Sequence, residues 1–398
     1  MAGAPDAPGG EQNGGVEQPL VYLDHASTTP LSPAALEAML PFLSHRFANP
    51  SGMHTAARSA RRALDDARDT MAAALGCEPG EVIFTSGGTE ADNLAVLGAH
   101  RGAAPGQGCV LVSAVEHKAV LAPAKLAGGE VLPVDATGRV EEEVLAEALE
   151  RRREEVALVS VMLANNETGV VQPLPELVEL IRRLAPGALV HTDAVHAFPW
   201  LEVDSLSSGC DLVSVSAHKF GGPKGSGALV VRRAARGRLQ ALVHGGGQEG
   251  DVRPGTQNVA GIVGMAAAAA ETVRERPVTL ARVTALRDRL ADGIAAACPG
   301  AEETAPRRLR VAGNCHLLFP GLEGEELAYL LDDAGLAAST GSSCASGAAE
   351  PSHVLSAMGL GPERARGAVR LTLGATTTAS DVARALEIIP QAVAKLTA

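Results

Sequence analysis

The chain has 398 residues, 34 of them basic and 46 acidic, for a formal net charge of −12. That length allows more than one domain, and 46% hydrophobic with 20% charged residues is ordinary for a globular protein. The acidic balance argues against direct binding to nucleic acid or an anionic membrane surface, and glycines or charges break every apolar run before it could span a bilayer.

Residues 1–18 are rich in Gly, Pro, Ala and acids and lack the basic start and apolar middle of a signal peptide, so they read as a disordered tail. Val21–Asp24 reads as a short strand. Ser32-Pro33 has the cap chemistry of a helix running to about Leu43, and His54–Leu75 is amphipathic with helical period. Compact apolar runs of strand length follow at Val82–Thr85, Val110–Ser113, Val131–Pro133, Ala157–Leu163, Ala188–Thr192, Leu212–Ser216 and Ala228–Val231. Helical patterns at 89–99, 118–127, 141–151 and 174–185 separate several of them. This alternation predicts an α/β fold with a mostly parallel sheet sandwiched by helices. The character changes near Val273–Pro277. A helix (279–297), a strand (Cys315–Phe319), a helix (Glu325–Asp333) and a strand (Val369–Leu373) then suggest a smaller α+β domain. The expected division is a tail at 1–18, a large domain at 30–275, and a small domain built from 19–29 plus 276–398. Six cysteines show neither CxxC nor metal-ligand spacing, which fits a reducing cytoplasm and no metal site.

Several strand ends carry polar side chains suited to chemistry. Strand Ile83–Thr85 runs through Ser86-Gly87-Gly88-Thr89 into a helix, where backbone amides and the Thr89 hydroxyl can meet a phosphate; an ordinary capped turn is the competing reading. Asp193 ends an apolar strand and can hold a protonated pyridine nitrogen, or simply cap the next turn. Lys219, preceded by Ser216 and His218, offers an amine that can condense with an aldehyde once deprotonated; alone it could be a solvated loop lysine. His117 can stack on a ring or move protons, or be structural. Asn166 can donate to a ring hydroxyl or shape a turn, and Arg370 can clamp a carboxylate or form a structural ion pair. A lysine amine and a carboxylate for the ring nitrogen are what pyridoxal 5′-phosphate (PLP) requires of a protein. Cys344, in the small-residue loop Ser339-Thr-Gly-Ser-Ser-Cys-Ala-Ser-Gly347, has little apolar cover and reads as a thiol that attacks a bound sulfur and passes it on.

Taken together these segments resemble the cysteine desulfurases of the class V aminotransferase group, within the fold-type I PLP-dependent transferases. The resemblance runs from Tyr22-Leu-Asp-His-Ala-Ser-Thr-Thr-Pro30 through Phe-Ala-Asn-Pro-Ser (47–51), Ser-Gly-Gly-Thr-Glu (86–90), Glu-His-Lys-Ala (116–119) and Asn-Asn-Glu-Thr-Gly (165–169). It continues through His-Thr-Asp-Ala (191–194), His-Lys (218–219), His-Gly-Gly-Gly (244–247), Arg-Pro-Gly-Thr (253–256) and Glu-Pro-Ser-His-Val-Leu (350–355). It implies that Lys219 carries PLP, His117 stacks on the ring and Asp193 binds its nitrogen. Gly88, Thr89, Ser216 and His218 would hold the phosphate, with Thr256 reaching over from the second subunit of a homodimer. Asn49 and Arg370 would bind the substrate carboxylate, Asn166 would lie beside cofactor and substrate, and Cys344 would take the sulfur as a persulfide. The extended Cys344 loop looks like the long-loop branch that feeds iron–sulfur assembly and tRNA thiolation. One departure concerns His196, where the family commonly has Gln near the ring hydroxyl. Imidazole can donate there too, and would add a titratable group beside the cofactor. Ser27, where Ala is usual, is a milder one.

The function expected from this reading is PLP-dependent removal of sulfur from L-cysteine, giving L-alanine and a Cys344 persulfide for a sulfur-acceptor or iron–sulfur scaffold protein. The alternatives are a selenocysteine lyase, which uses nearly the same pocket, and a non-catalytic PLP-bound scaffold for sulfur-transfer proteins. The His-Gly-Gly-Gly run is no lipase oxyanion hole, because no Gly-x-Ser-x-Gly elbow accompanies it.

Overall fold

The computed structural model describes residues 20–340 and 352–397, so the tail and Cys344 lie outside the described residues. A two-residue strand, β1 (Val21–Tyr22), leads into helices α1 (Pro33–Leu43) and α2 (Thr55–Leu75). Ser32 caps α1 by accepting from the Ala35 amide, and Gly76 ends α2 in the left-handed conformation that glycine adopts without strain. There follow β2 (Val82–Thr85), α3 (Gly88–Gly102), β3 (Cys109–Ser113), α4 (Lys118–Leu126), β4 (Glu130–Leu132), α5 (Glu142–Arg152), β5 (Val156–Ser160), α6 (Leu174–Leu184), β6 (Leu189–Asp193), the short α7 (Val203–Leu206), β7 (Leu212–Ser216) and β8 (Gly227–Val231).

Strands β2 to β8 form one sheet in the order β2-β8-β7-β6-β5-β3-β4. Only β8 runs antiparallel to its neighbours, so the other six strands end at the same edge. Successive side chains go to opposite faces: Val110 and Val112 join Leu94 and Val120 on one side, whereas Leu111 joins Leu145 and Leu177 on the other. Burial on both faces is why these strands read as unbroken apolar runs. The run predicted to reach Leu163 leaves the regular ladder after Ser160, yet Val161 and Leu163 still donate to the carbonyls of His191 and Asp193.

The second half of the chain opens with α8 (Val259–Ala297), a single helix of 39 residues. The helix predicted from 279 is its second half. Pro277 does not end it, because both halves are held by packing. Gly264 lies against Met39 of α1, and Gly293 lies against Leu386 of the last helix. Beyond it come β9 (Glu302–Glu303), β10 (Asn314–Leu318), α9 (Gly324–Asp333), β11 (Leu336–Ala337), α10 (His353–Ala357), α11 (Pro362–Arg366), β12 (Ala368–Thr372) and α12 (Ala379–Thr397). β12, β10 and β9 make an antiparallel sheet, and β11 pairs with β1, which draws the start of the chain into this half. Among the described residues, no helix is long and apolar enough to cross a membrane.

Candidate active site

Five polar loops leave the carboxyl ends of parallel strands and converge, the place where open α/β sheets bind ligands. After β2, Gly87 takes a φ of 150° and Gly88 opens α3; a Cβ on Gly88 would lie 2.8 Å from the Val195 side chain. Only glycines fit this close approach. The Ser216 hydroxyl, at the end of β7, sits 3.7 Å from where a Gly87 Cβ would be, and Thr89 stands in the first turn of α3. The result is a cradle of backbone amides, two hydroxyls and a helix N-terminus.

Lys219 lies in the one-turn helix after β7 (Ala217–Lys219). Its Nζ donates to the Ala26 carbonyl and, at 3.0 Å, to the Ser27 carbonyl. Burial lowers its pKa to about 8, assisted by the Arg370 charge and opposed by Asp193 and Asp24. Asp193, 4% exposed at the end of β6, accepts from the Val195 amide at 2.8 Å. Burial raises its pKa, while His117, that amide and Lys219 pull the other way. His117 caps α4, its Nδ1 accepting from the Ala119 amide at 3.1 Å. Desolvation holds its pKa down against Asp193, helped by the cations Lys219 and Lys118. His218 Nδ1 meets the Thr28 hydroxyl at 3.2 Å, and burial followed by Lys219 and Lys224 lowers it to about 4.

Arg370, on β12, is 1% exposed. Its Nη2 donates to Asp24 Oδ1 at 2.8 Å and to Ser27 Oγ at 2.7 Å, and its Nη1 donates to the Asn166 carbonyl at 3.0 Å. Among the described residues its Nε has no partner. Asn165, not Asn166, shapes the turn by accepting from the amides of Glu167 and Thr168. The Asn166 backbone thus touches Arg370. His196 is buried, and among the described residues its Nε2 has no partner. Burial first, then Lys219 and Arg370, lowers its pKa to about 3. The titratable group expected beside the cofactor is therefore a neutral imidazole near pH 7.

Two predicted residues stand apart. Asn49 occupies an exposed turn and accepts from the Ser51 amide, with no bond to Arg370. Thr256 is exposed, three residues past Arg253, whose ion pair with Glu90 at 2.7 Å ties that segment to α3. Cys344 lies outside the described residues, but both flanks are placed: Ser339 bridges to Arg370, and Ser352 and His353 bond to Glu167 and the Glu116 carbonyl. Residue-by-residue reading missed Asp24 as the partner of Arg370 and Ala26 as an acceptor for Lys219. It also missed a polar layer under the site. There His191 meets Ser160 Oγ at 2.8 Å and Ser214 Oγ at 3.0 Å, with Asp92 of α3 at 3.7 Å.

The aminotransferase class-V family matches residues 21–385. An IscS-like cysteine desulfurase of Mycobacterium tuberculosis is 46% identical over 390 residues, covering 94% of this chain and 97% of that protein. The cysteine desulfurase IscS of Dictyoglomus turgidum is 41% identical over 381 residues, covering 94% and 95%. Among solved structures, a NifS-like protein superposes with a TM-score of 0.87 at 32% identity, covering 95% of this chain and all of that one. SspA in complex with cysteine gives 0.75 at 31% identity, covering 90% and 99%. The chain belongs to the cysteine desulfurases of the class-V aminotransferase family. It is a PLP-dependent enzyme with the fold-type I architecture of that family. The site fits such a cofactor on its own terms. Among the described residues it offers a glycine cradle, a buried carboxylate that accepts from one backbone amide, an imidazole nitrogen without a partner and an amine lowered to about 8.

Proposed function

We propose that this cysteine desulfurase holds PLP on Lys219 and passes the sulfur of L-cysteine to Cys344. The observation that carries the cofactor placement is the pairing of neighbouring strand ends. β6 and β7 are hydrogen-bonded in parallel, so Asp193 and Lys219 leave the same sheet edge one strand apart. Gly88, Thr89, Ser216 and His218 hold the phosphate, with Thr256 contributed by a second copy in a homodimer. His117 would stack on the ring, and His196 and Asn166 would serve the ring oxygen. Arg370, with Asn49, binds the substrate carboxylate.

When bound, PLP would supply an electron sink for the substrate α-carbon, and Asp193 would strengthen it by keeping the ring nitrogen protonated. Lys219 and His117 then move protons at that carbon and its neighbour. The Cys344 thiolate attacks the substrate sulfur, so an S–S bond forms as the C–S bond breaks and the electron pair stays with the carbon fragment. In net terms one sulfur moves to Cys344 and one proton moves from the thiol to carbon, leaving alanine. The persulfide serves a sulfur-acceptor or iron–sulfur scaffold protein in the cytoplasm. Residues 30–275 form the large domain, and 19–29 with 276–398 the small one.

Replacing Lys219 with Ala is expected to abolish visible cofactor absorbance and alanine formation together. Cofactor trapped by borohydride on Lys118 or Lys224 overturns the placement. Replacing Cys344 with Ala is expected to leave PLP bound and abolish persulfide formation from cysteine; retained persulfide formation moves the acceptor elsewhere.

A further inference from the structure

A cavity of about 510 Å³ that Lys219 lines lies between the segment after β1, the turn at Pro199–Trp200 and the middle of α8. Gly88, Thr89, His117, Asp193 and Ser216 do not line it, so it is separate from the phosphate cradle, though Lys219 and His196 stand between the two. Its size is that of a small-molecule site. Leu31, Pro199, Trp200, Phe220 and Val278 give it apolar walls.

Arg276 of α8 also lines it, although only 8% exposed. Its Nη2 donates to the Phe198 carbonyl at 3.0 Å, the guanidinium stands 5.7 Å from the Phe198 ring, and among the described residues Nε has no partner. Among the described residues no carboxylate pairs with it; Asp204 and Glu202 act on it only from farther away. A buried cation without a counter-ion is costly. The other charges at the cavity do not supply one. Glu275 pairs with Arg274 at 2.9 Å, Arg282 is engaged by the carbonyls of Ala375 and Thr377, and Glu271 makes no ion pair with Arg276.

We propose that this cavity binds an apolar carboxylate, such as a medium-chain fatty acid, with its carboxylate at Arg276 and its hydrocarbon body against Trp200 and Phe220. An occupant would sit beside Lys219 and His196, which also line the cavity, and so against the back of the active site.

Trp200 is the chain's one tryptophan and lines the cavity, so its emission reports binding there without measuring turnover. Octanoate titrated into the holoenzyme is expected to change Trp200 emission saturably, with octanol and octylammonium binding much more weakly. Arg276→Gln is expected to weaken octanoate by about tenfold or more, the scale of a hydrogen bond to a charged group. Because that variant could disturb the fold, Thr279→Phe supplies a second test: it narrows the cavity, keeps Arg276, and is expected to abolish the titration while leaving Tm unchanged. Absence of a saturable change, equal affinity for octanol, or undiminished binding in the folded variants overturns the proposal.

Discussion

Ser27 touches both of the charged groups on which the proposed chemistry rests. Its carbonyl accepts from Lys219 and its hydroxyl accepts from Arg370, while donating to Asp24 Oδ1 at 2.9 Å. Removing the hydroxyl leaves Arg370 held by Asp24 alone on that side. If Arg370 receives the substrate carboxylate, Ser27→Ala should raise KM for cysteine by about threefold to tenfold with kcat nearly unchanged, and Ser27→Thr should restore it. Equal losses in kcat and kcat/KM would show that the hydroxyl does something else. Lys219 itself must be neutral to capture an aldehyde. With its pKa lowered by burial to about 8, PLP uptake by the stripped protein should quicken as pH rises and level off above that value. A rate still climbing toward pH 10 would place the lysine nearer its ordinary range. The buried His196 calls for the opposite outcome. Visible spectra of wild type and His196→Gln should titrate alike between about pH 6 and 8, because an imidazole lowered to about 3 is neutral throughout that window.

At the scale of elements, Glu167 closes the turn between β5 and α6. Its Oε2 accepts from Ser352 at the start of α10, and its Oε1 stands 3.7 Å from His316 of β10. Burial raises its pKa to about 7 against the pull of Ser352 and Arg370, and His316 is lowered by burial to about 3 and stays neutral. The folded protein therefore holds a proton that the unfolded chain releases near pH 4.5. This stabilisation is complete below that pH and is lost as pH rises through about 7. Glu167→Gln should flatten the fall of Tm with pH over that window, and an unchanged slope would assign it to other groups. Nothing in Asn-Asn-Glu-Thr-Gly foretells this shift, because burial in the folded protein causes it and the groups around the carboxyl, His316 and Ser352, lie far along the chain. Asp193 and Lys219 were legible for the converse reason: each follows an apolar strand directly, so local pattern places it at a sheet edge. The Arg370–Asp24 pair joins residues 346 apart, a separation that no local pattern encodes. The polar layer of Asp92 and His191 was hidden by lying within segments that read as an ordinary helix and strand.

Across the whole molecule, Leu36, Leu40 and Leu43 stand exposed on one side of α1, and the following loop exposes Phe47 and Met53, the latter 90% accessible. Apolar side chains grouped in one stretch of surface suit association with another copy. Leu40→Asp with Leu43→Asp should lower the molar mass seen by light scattering to that of a monomer, and should weaken PLP retention if Thr256 completes the partner's phosphate site. A dimer that survives both changes would place the interface elsewhere.

The helix α8 has a further consequence. At 1.5 Å per residue, its 39 residues make a rod about 58 Å long. One end is clasped by α1 and the other by α12. A boundary at residue 275 falls within the rod, so neither proposed domain owns it. Melting either lobe would strip partners from a helix that the other lobe also needs, and so the two should unfold as one cooperative body. Amides in the first and second halves of α8 should exchange with solvent at similar rates, and a chain divided at 275 should yield two fragments that fold only when mixed.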